Sequence, residues 1–424
     1  MVDQIKVIRG MRDILPADMD AWYQLEDGWR QLAESYGYQQ IRTPIMEKTA
    51  LFKRSIGDVT DIVEKEMYSF DDKGGDNLSL RPEGTASIVR AGIQNGLLVN
   101  QIQRLWYSGQ MFRRERPQKG RYRQFFQLGA EAFGMPGADI EVELIFMASR
   151  FWKLLGLENI ELQLNTLGTS ETRLKYKELL VSYLRDHLNE LDEDSLRRLD
   201  TNPLRILDSK NTDMQNLIEA APKLKDNLDQ QSSEHFAELL EILDFNDLAY
   251  TINPRLVRGL DYYSHTVFEF VTNSLGAQGT VCAGGRYDSL VEQLGGKPTY
   301  AAGFAMGIDR LVLMLQDQQK VIAQKPADIY FVMAGANTAK HGQKLAEMLR
   351  NELPDLHLVA HSGGGSFKSQ MKKADKSGAS LALILGESEV EKTTVNIKFL
   401  RQDQQQLEIN QSQLVSQIKQ LLNN

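Results

Sequence analysis

The chain has 424 residues, 42% of them hydrophobic and 25% charged, with a formal net charge of -8; that length exceeds one ordinary core and allows two or three domains. The acidic balance gives no overall attraction to nucleic acid, so such a partner has to be met by local basic patches, and the single cysteine, Cys282, excludes an internal disulfide and a cysteine-built metal site. The opening MVDQIKVIRG lacks the apolar core of a signal peptide, and no run of about 18 apolar residues occurs, so a cytoplasmic protein without membrane contact is expected.

A helix is predicted from about Asp18 to Tyr36, where Trp22, Leu25, Trp29 and Leu32 recur at spacings of three and four, and Gly37 ends it. Tyr38 to Met46 is β-prone, but Pro44 removes a backbone donor, which suits a sheet edge or a subunit contact equally. Leu78 to Leu80 lead into RPEGT, Arg81 to Thr85, a bend before a helix from about Ala86 to Gln94, with Thr85 a candidate N-cap. Glu83 sits in that bend, either as a local hydrogen-bond acceptor or as a fixed carboxylate able to hold an ammonium.

The most chemically suggestive stretch is FRRERPQKGRYRQFFQLGAE, Phe112 to Glu131. An apolar run from Leu105 enters a loop carrying Arg113, Arg114, Arg116, Lys119, Arg121 and Arg123, and alternating residues then resume, the pattern of strand, cationic loop, strand. A period of two puts Arg123, Phe125, Gln127, Gly129 and Glu131 on one face and Phe126, Leu128 and Ala130 on the other. The second face is suited to a core. The first aligns a cation, a ring able to stack on a flat base, an amide, a gap and a carboxylate; the same residues are also compatible with a solvated hairpin with a charged tip.

A helix is predicted over roughly Asp139 to Leu155 and a strand around Ile160 to Asn165. From about 170 to 246, Leu, Lys, Glu and Asp dominate, glycine vanishes and helical periodicity repeats, which reads as a helical insertion: a packed accessory domain or a grip for a partner. Strand character returns at Ala249 to Asn253. Three glycine-bearing motifs then follow: VRGLDYY (Val257 to Tyr263), AGGRYD (Ala283 to Asp288) and GFAMGIDR (Gly303 to Arg310). The second is read as a strand ending at Gly284 and Gly285, where backbone approaches a ligand closely. The third is read as strand, turn and helix with Arg310 in its first turn, and together they point to a phosphate-handling cleft. Neither GxxxxGK[ST] nor GxGxxG occurs, the histidines lack metal-ligand spacing, and no serine sits in a nucleophile elbow. Cys282 reads as a small buried side chain.

A boundary is expected near 316–326, followed by alternating strands and helices to Leu422, which imply a mainly parallel sheet covered by helices. Lys368, Lys372 and Lys376 form a basic stripe on one helix, either solvated surface or a nucleic-acid contact.

Over essentially its whole length the chain resembles the bacterial histidyl-tRNA synthetases. The arginine-rich hairpin and GFAMGIDR resemble the second and third signature motifs of class II aminoacyl-tRNA synthetases, and the segment around Pro44 resembles the first, at the dimer interface. LVRGLDYY and AGGRYD resemble the two histidine-specific motifs. The resemblance implies an α+β architecture: an antiparallel-sheet catalytic domain over 1–325, interrupted by the helical insertion at about 170–246, and an α/β anticodon-binding domain over 326–424, in a homodimer. It implies activation of L-histidine with ATP and Mg²⁺ to histidyl-adenylate, then transfer to the 3′ end of tRNA(His). Glu83, Thr85 and Gln127 are implied to hold the amino group; Glu131 and Tyr263, beside Tyr262, to read the imidazole. Arg113 is implied to bind the α-phosphate and Arg258 to stabilise charge there during attack, Arg121 and Arg310 to contact the outer phosphates, Phe125 to stack on adenine, and Glu115 to partner magnesium or adenine. No general base is evident. Two departures are visible, Asp309 where the class motif commonly has glutamate and Phe126 where many relatives carry histidine. The competing expectation is a non-catalytic regulatory paralogue, although such paralogues typically lack the C-terminal domain and lose phosphate-binding arginines that this chain retains.

Overall fold

The computed structural model describes residues 3–57, 60–207, 209, 211–257, 260–276, 279–323 and 326–422. It divides into two compact units, Met1–Ile322 and Ala323–Asn424. The strands of the first unit are β1 (Gln39–Gln40), β2 (Met46–Lys48), β3 (Tyr68–Asp71), β4 (Asn77–Leu80), β5 (Gln103–Phe112), β6 (Gln124–Phe133), β7 (Glu161–Thr166), β8 (Thr251–Ile252), β9 (Ser264–Val271), β10 (Thr280–Arg286) and β11 (Ala301–Gly307). Eight of them form one sheet in the order β1-β5-β6-β11-β10-β9-β7-β8, with β2, β4 and β3 in a small antiparallel sheet. The five central pairings of the large sheet are antiparallel, and the outermost pair at each edge is parallel.

Period-two alternation gives this sheet two unlike faces. On one, Leu128, Ala130, Phe304 and Met306 pack beneath helices Met19–Ser35, Asp139–Leu154 and Ile308–Asp317 in a continuous apolar core. Trp22 meets Phe126 edge-on at 4.7 Å and Trp29 meets Phe304 at 5.8 Å. Phe126 therefore belongs to the core side, as the alternation requires. On the opposite face the register lines up Tyr107, Gly129, Ala305, Ala283 and Glu269 across five strands, with Leu105, Glu131, Gly303 and Gly285 in the next row. Small residues in both rows leave a hollow.

The insertion consists of helices Ser170–Arg185, Glu193–Arg198, Gln215–Ala220 and Gln230–Phe245 joined by short 3₁₀ turns. Its Tyr176, Leu180, Leu184 and Leu217 are buried in one cluster with Tyr262, Tyr263 and Tyr287. It thus shares a core with the segment that lines the hollow.

In the second unit, β12 (Ile329–Met333), β13 (Leu358–Ala360), β14 (Leu381–Leu385), β15 (Thr394–Phe399) and β16 (Leu407–Asn410) form a sheet in the order β13-β12-β14-β15-β16. The first three strands are parallel, connected over helices Thr338–Glu352 and Phe367–Lys376; β15 and β16 are antiparallel. The expected mainly parallel sheet is thus a mixed one. Only residues 386–393 link β14 to β15, too few for the dozen or more that a parallel crossover needs.

Two local expectations are also revised. Gly84, not Thr85, is the N-cap of helix Thr85–Gln94, and the capping acceptor is the Glu83 carboxylate. Strand β10 does not end at Gly284 but continues to Arg286. A Cβ at Gly284 would meet the Phe268 ring at 2.7 Å, and one at Gly285 would meet the Tyr263 ring at 3.0 Å. These glycines admit neighbouring strands and rings, not a ligand.

Candidate active site

The hollow on the open face is a cleft of about 300 Å³, within the size range of small-molecule sites. Its two ends differ in chemistry.

At one end stand Glu83, Thr85, Gln127, Tyr262 and Tyr263. Glu83 precedes helix Thr85–Gln94, and its two oxygens accept the Thr85 amide at 2.6 Å and the Ala86 amide at 2.9 Å, a carboxylate at the positive end of a helix dipole. Burial nevertheless pushes its pKa up, opposed by those amides and by the Arg113 charge. Gln127 Oε1 is buried with no hydrogen-bond partner among the described residues. A carboxylate and an orphaned amide oxygen together are what a buried ammonium requires.

Glu131 lies one layer deeper, fully buried and behind the cleft wall. The Thr85 hydroxyl donates to its Oε1 at 2.7 Å and the Tyr287 hydroxyl donates to Oε2. Burial pushes its pKa up to about 8 despite these two bonds, with the nearby Glu83 charge adding to the rise. Any Cβ at Gly303 would run into the Glu131 carboxyl, and one at Gly129 into the Tyr107 ring. The glycines on this face make room for those two side chains. Tyr262 packs on Tyr263 at 4.7 Å and on Tyr287 at 5.5 Å, an aromatic wall suited to a flat ring beside a buried acceptor.

At the other end Arg113, Arg121, Arg310, Glu115 and Phe125 line the cleft. Arg113 Nε donates to the Pro82 carbonyl at 2.8 Å, and its guanidinium lies 5.4 Å from the centre of the Phe125 ring. Arg121 pairs with Glu115, which also faces Arg113 at 3.9 Å. Arg310 donates to the carbonyls of Gly120 and Thr280. Burial, then the charges of Arg121 and Arg113, lower the pKa of Arg310, and burial with Arg113 lowers that of Arg121. Three guanidiniums held this close favour a polyanion between them.

The structure thus brings Glu83, Thr85, Gln127, Tyr262 and Tyr263 to one end, and Arg113, Glu115, Arg121, Phe125 and Arg310 to the other. Glu131 sits beneath the first group. Arg258 and Gly259 lie outside the described residues. Cys282 is buried among core residues at the cleft floor.

Four residues escaped the sequence reading. Tyr287 lies within AGGRYD and was recoverable from that motif; Tyr107 fills the space opposite Gly129. Glu269 lines the cleft and accepts from Thr280 at 2.9 Å. Arg12 lies 4.5 Å over the Tyr122 ring and donates at 2.9 Å to Asp309, whose other oxygen accepts the Phe126 amide at 2.9 Å. Asp309 therefore ties the N-terminal segment to β6. This explains how an aspartate serves there: its contacts are structural.

Residues 10–311 match the family model for histidyl-tRNA synthetase, and residues 328–421 match an anticodon binding domain. The chain belongs to the histidyl-tRNA synthetase family. It is 57% identical over 419 residues to a histidine–tRNA ligase of Hydrogenovibrio crunogenus, covering 99% of this chain and 98% of that one. The apo histidyl-tRNA synthetase of S. aureus superposes with a TM-score of 0.82 at 34% identity, covering 98% of this chain and 100% of that structure. A Bacillus halodurans structure described as an ATP phosphoribosyltransferase regulatory subunit/histidyl-tRNA synthetase matches at 22% identity and a TM-score of 0.62, over 88% of this chain and 97% of its own. That last likeness concerns the fold alone. High identity across both units favours a catalytic synthetase over the regulatory paralogue.

Proposed function

We propose that this member of the histidyl-tRNA synthetase family activates L-histidine with ATP in the cleft and transfers it to the 3′ end of tRNA(His). The observation that carries the reading is the polarity of the cleft: an ammonium-binding end backed by a buried carboxyl and tyrosines, and an arginine end that favours phosphates. The Glu83 carboxylate, Thr85 and the Gln127 amide oxygen hold the amino group. Glu131, whose two oxygens keep unused acceptor capacity beyond the Thr85 and Tyr287 bonds, takes the imidazole N–H beside Tyr262 and Tyr263. An apolar analogue leaves that acceptor unpaired, and discrimination follows.

A histidine held this way directs its carboxylate along the floor toward Arg113. A carboxylate oxygen attacks the α-phosphorus; the bond to the bridging oxygen of the β-phosphate breaks, and pyrophosphate leaves with that electron pair. Arg113 stabilises the charge on the α-phosphate, Arg121 and Arg310 hold the outer phosphates, and Phe125 stacks on adenine. Arg258, by its place in the LVRGLDYY motif, adds a second cation at the α-phosphate. Such transfers depend mostly on positioning and on cations aimed at developing charge. A ribose hydroxyl of the tRNA then attacks the histidyl carbonyl, AMP leaves, and the hydroxyl proton passes to a phosphate oxygen of the adenylate.

Mg²⁺ fits the donor set. Glu115, at the arginine end, and Glu269 are carboxylates lining the cleft, and magnesium is held by one or two carboxylates together with substrate phosphates. When bound it would neutralise charge shared between the phosphates. No helix among the described residues is long and apolar enough to cross a membrane, and a cytoplasmic setting belongs to the same reading. So does a homodimer. The segment around Pro44 exposes Ile45 and Met46 beside the two-residue edge strand β1, an apolar stretch suited to a partner subunit.

The domain division follows: catalysis within about 1–325, including the insertion at about 170–246, and anticodon binding within 326–424, where Lys368, Lys372 and Lys376 lie exposed on helix Phe367–Lys376. Each unit has its own core. Removing residues 326–424 should leave histidine-dependent pyrophosphate exchange within about threefold of the full chain and lower charging of tRNA(His) by at least about a hundredfold, as expected when base contacts worth ~1–3 kcal/mol each are lost together. Equal loss of both activities would assign the second unit to support of the catalytic fold.

A further inference from the structure

One side chain of the helical insertion hydrogen-bonds the main chain at the histidine end of the cleft on both sides of Tyr262. Arg173, on helix Ser170–Arg185, extends a single Nη1 to two main-chain carbonyls of the VRGLDYY segment, Asp261 O at 3.3 Å and Tyr263 O at 2.6 Å. Those carbonyls flank Tyr262, which with Tyr263 lines the cleft. We propose that Arg173 is a positioning residue for histidine binding, its guanidinium holding the turn that presents Tyr262 and Tyr263.

The position of Arg173 is itself fixed from three directions. Its helix begins at the N-cap Thr169, whose hydroxyl accepts the Thr172 amide. Thr169 and Thr172 both donate to Asp229, the N-cap of the insertion's last helix, which also accepts the Ser232 amide at 2.8 Å. Just before the helix, the Leu167 amide donates to the His265 carbonyl at 2.7 Å and the His265 amide to the Gly168 carbonyl at 2.8 Å. Helix start and cleft segment are therefore joined two residues after Tyr263.

The segment needs such bracing. His265 has φ 48°, a left-handed conformation that a non-glycine residue keeps only where its surroundings over-determine it. On the far side the Asp261 amide donates to the Ile56 carbonyl at 3.2 Å, and the insertion's Asn202 reaches the Asp261 carboxylate at 3.4 Å. The charges of Arg173, Arg205 and Lys177 face the same carboxylate. The catalytic segment is thus gripped by the insertion, and Arg173 is the contact that bears directly on the two tyrosines.

This inference rests on the reading of the cleft as a histidine site. The test is histidine-dependent pyrophosphate exchange by the full chain, with KM for histidine and for ATP measured separately in wild type, Arg173→Ala, Arg173→Lys and, as a control, Lys175→Ala on the exposed side of the same helix. A wild type without histidine-dependent exchange overturns the histidine reading itself. With an active wild type, Arg173→Ala should raise KM for histidine at least tenfold and leave KM for ATP within twofold. Arg173→Lys, which keeps a cation on a shorter side chain, should fall between, and Lys175→Ala should match wild type. An unchanged histidine KM in folded Arg173→Ala overturns the proposal, as does a parallel rise of both KM values with a lowered Tm. Should Arg173→Ala fail to fold, Arg173→Lys decides: a rise of threefold or more in histidine KM alone supports the proposal, and no change overturns it.

Discussion

Arg113→Ala is expected to lower the rate of histidine-dependent pyrophosphate exchange by about 10³-fold while changing KM for histidine little. Arg113 is held by the Pro82 carbonyl and by the Phe125 ring, so its guanidinium is oriented before substrate arrives. A preorganised donor aimed at developing charge contributes roughly 10²–10³ in rate when removed singly, and here the residue also spaces the ring proposed to carry adenine. Arg113→Lys should recover only part of the loss, because an ammonium cannot bond the carbonyl and a phosphate in the same planar fork. A rate within threefold of wild type in Arg113→Ala would remove it from the reaction.

The second large effect is expected at Glu131. Glu131→Gln should raise KM for histidine about a hundredfold and leave KM for ATP unchanged, since an NH₂ set where the imidazole N–H or the two hydroxyls donate leaves a buried donor unpaired, at a cost of about 1–3 kcal/mol. Tyr287 and Thr85 both donate to this carboxyl, so replacing one oxygen by an NH₂ also misaligns the two hydroxyls around it. The same variant has a signature in stability. The folded protein keeps Glu131 protonated up to about pH 8, whereas a glutamate exposed to water loses its proton near 4.5. Below pH 4.5 both states carry the proton and burial costs nothing. As pH rises the unfolded chain ionises first, and wild type loses stability until ionisation in the folded state is complete above pH 8. The stability of wild type relative to Glu131→Gln should therefore fall steadily from pH 5 to pH 9, by an amount bounded near roughly 5 kcal/mol. Chemical denaturation of both proteins across that range measures it; a flat difference would place an ionised carboxylate in the free enzyme.

What could be read before folding, and what could not, divides along sequence separation. The parity of β6 places Phe125 and Gln127 toward the cleft and Phe126, Leu128 and Ala130 toward the core, because a strand's two faces follow from local alternation alone. The cationic loop and the helix after Gly307 were legible for the same reason. The role of the glycines was not: whether Gly284 faces a ligand or a neighbouring ring depends on strands β9 and β11, whose pairing no local pattern reports. For Glu83 the bend before a helix offered a local hydrogen-bond acceptor as one of two readings, and its carboxylate does accept the Thr85 and Ala86 amides. Contacts between distant segments were the least legible. Arg12 with Asp309, Tyr287 with Glu131 and Arg173 with Tyr263 join residues 297, 156 and 90 positions apart, and each depends on tertiary packing. The insertion looked featureless because its contacts with the tyrosine segment come from scattered apolar residues, Asn202 and Arg173, which no local motif marks.

One cleft that takes histidine at one end and ATP at the other is tested most directly by exchange of labelled pyrophosphate into ATP by the full chain, without tRNA, across a panel containing histidine, proline, threonine and glycine. Exchange with histidine alone is predicted. Exchange with a different member of the panel would keep the fold and overturn the substrate, and no exchange with any of them in a folded, ATP-binding sample would contradict a catalytic role for the cleft.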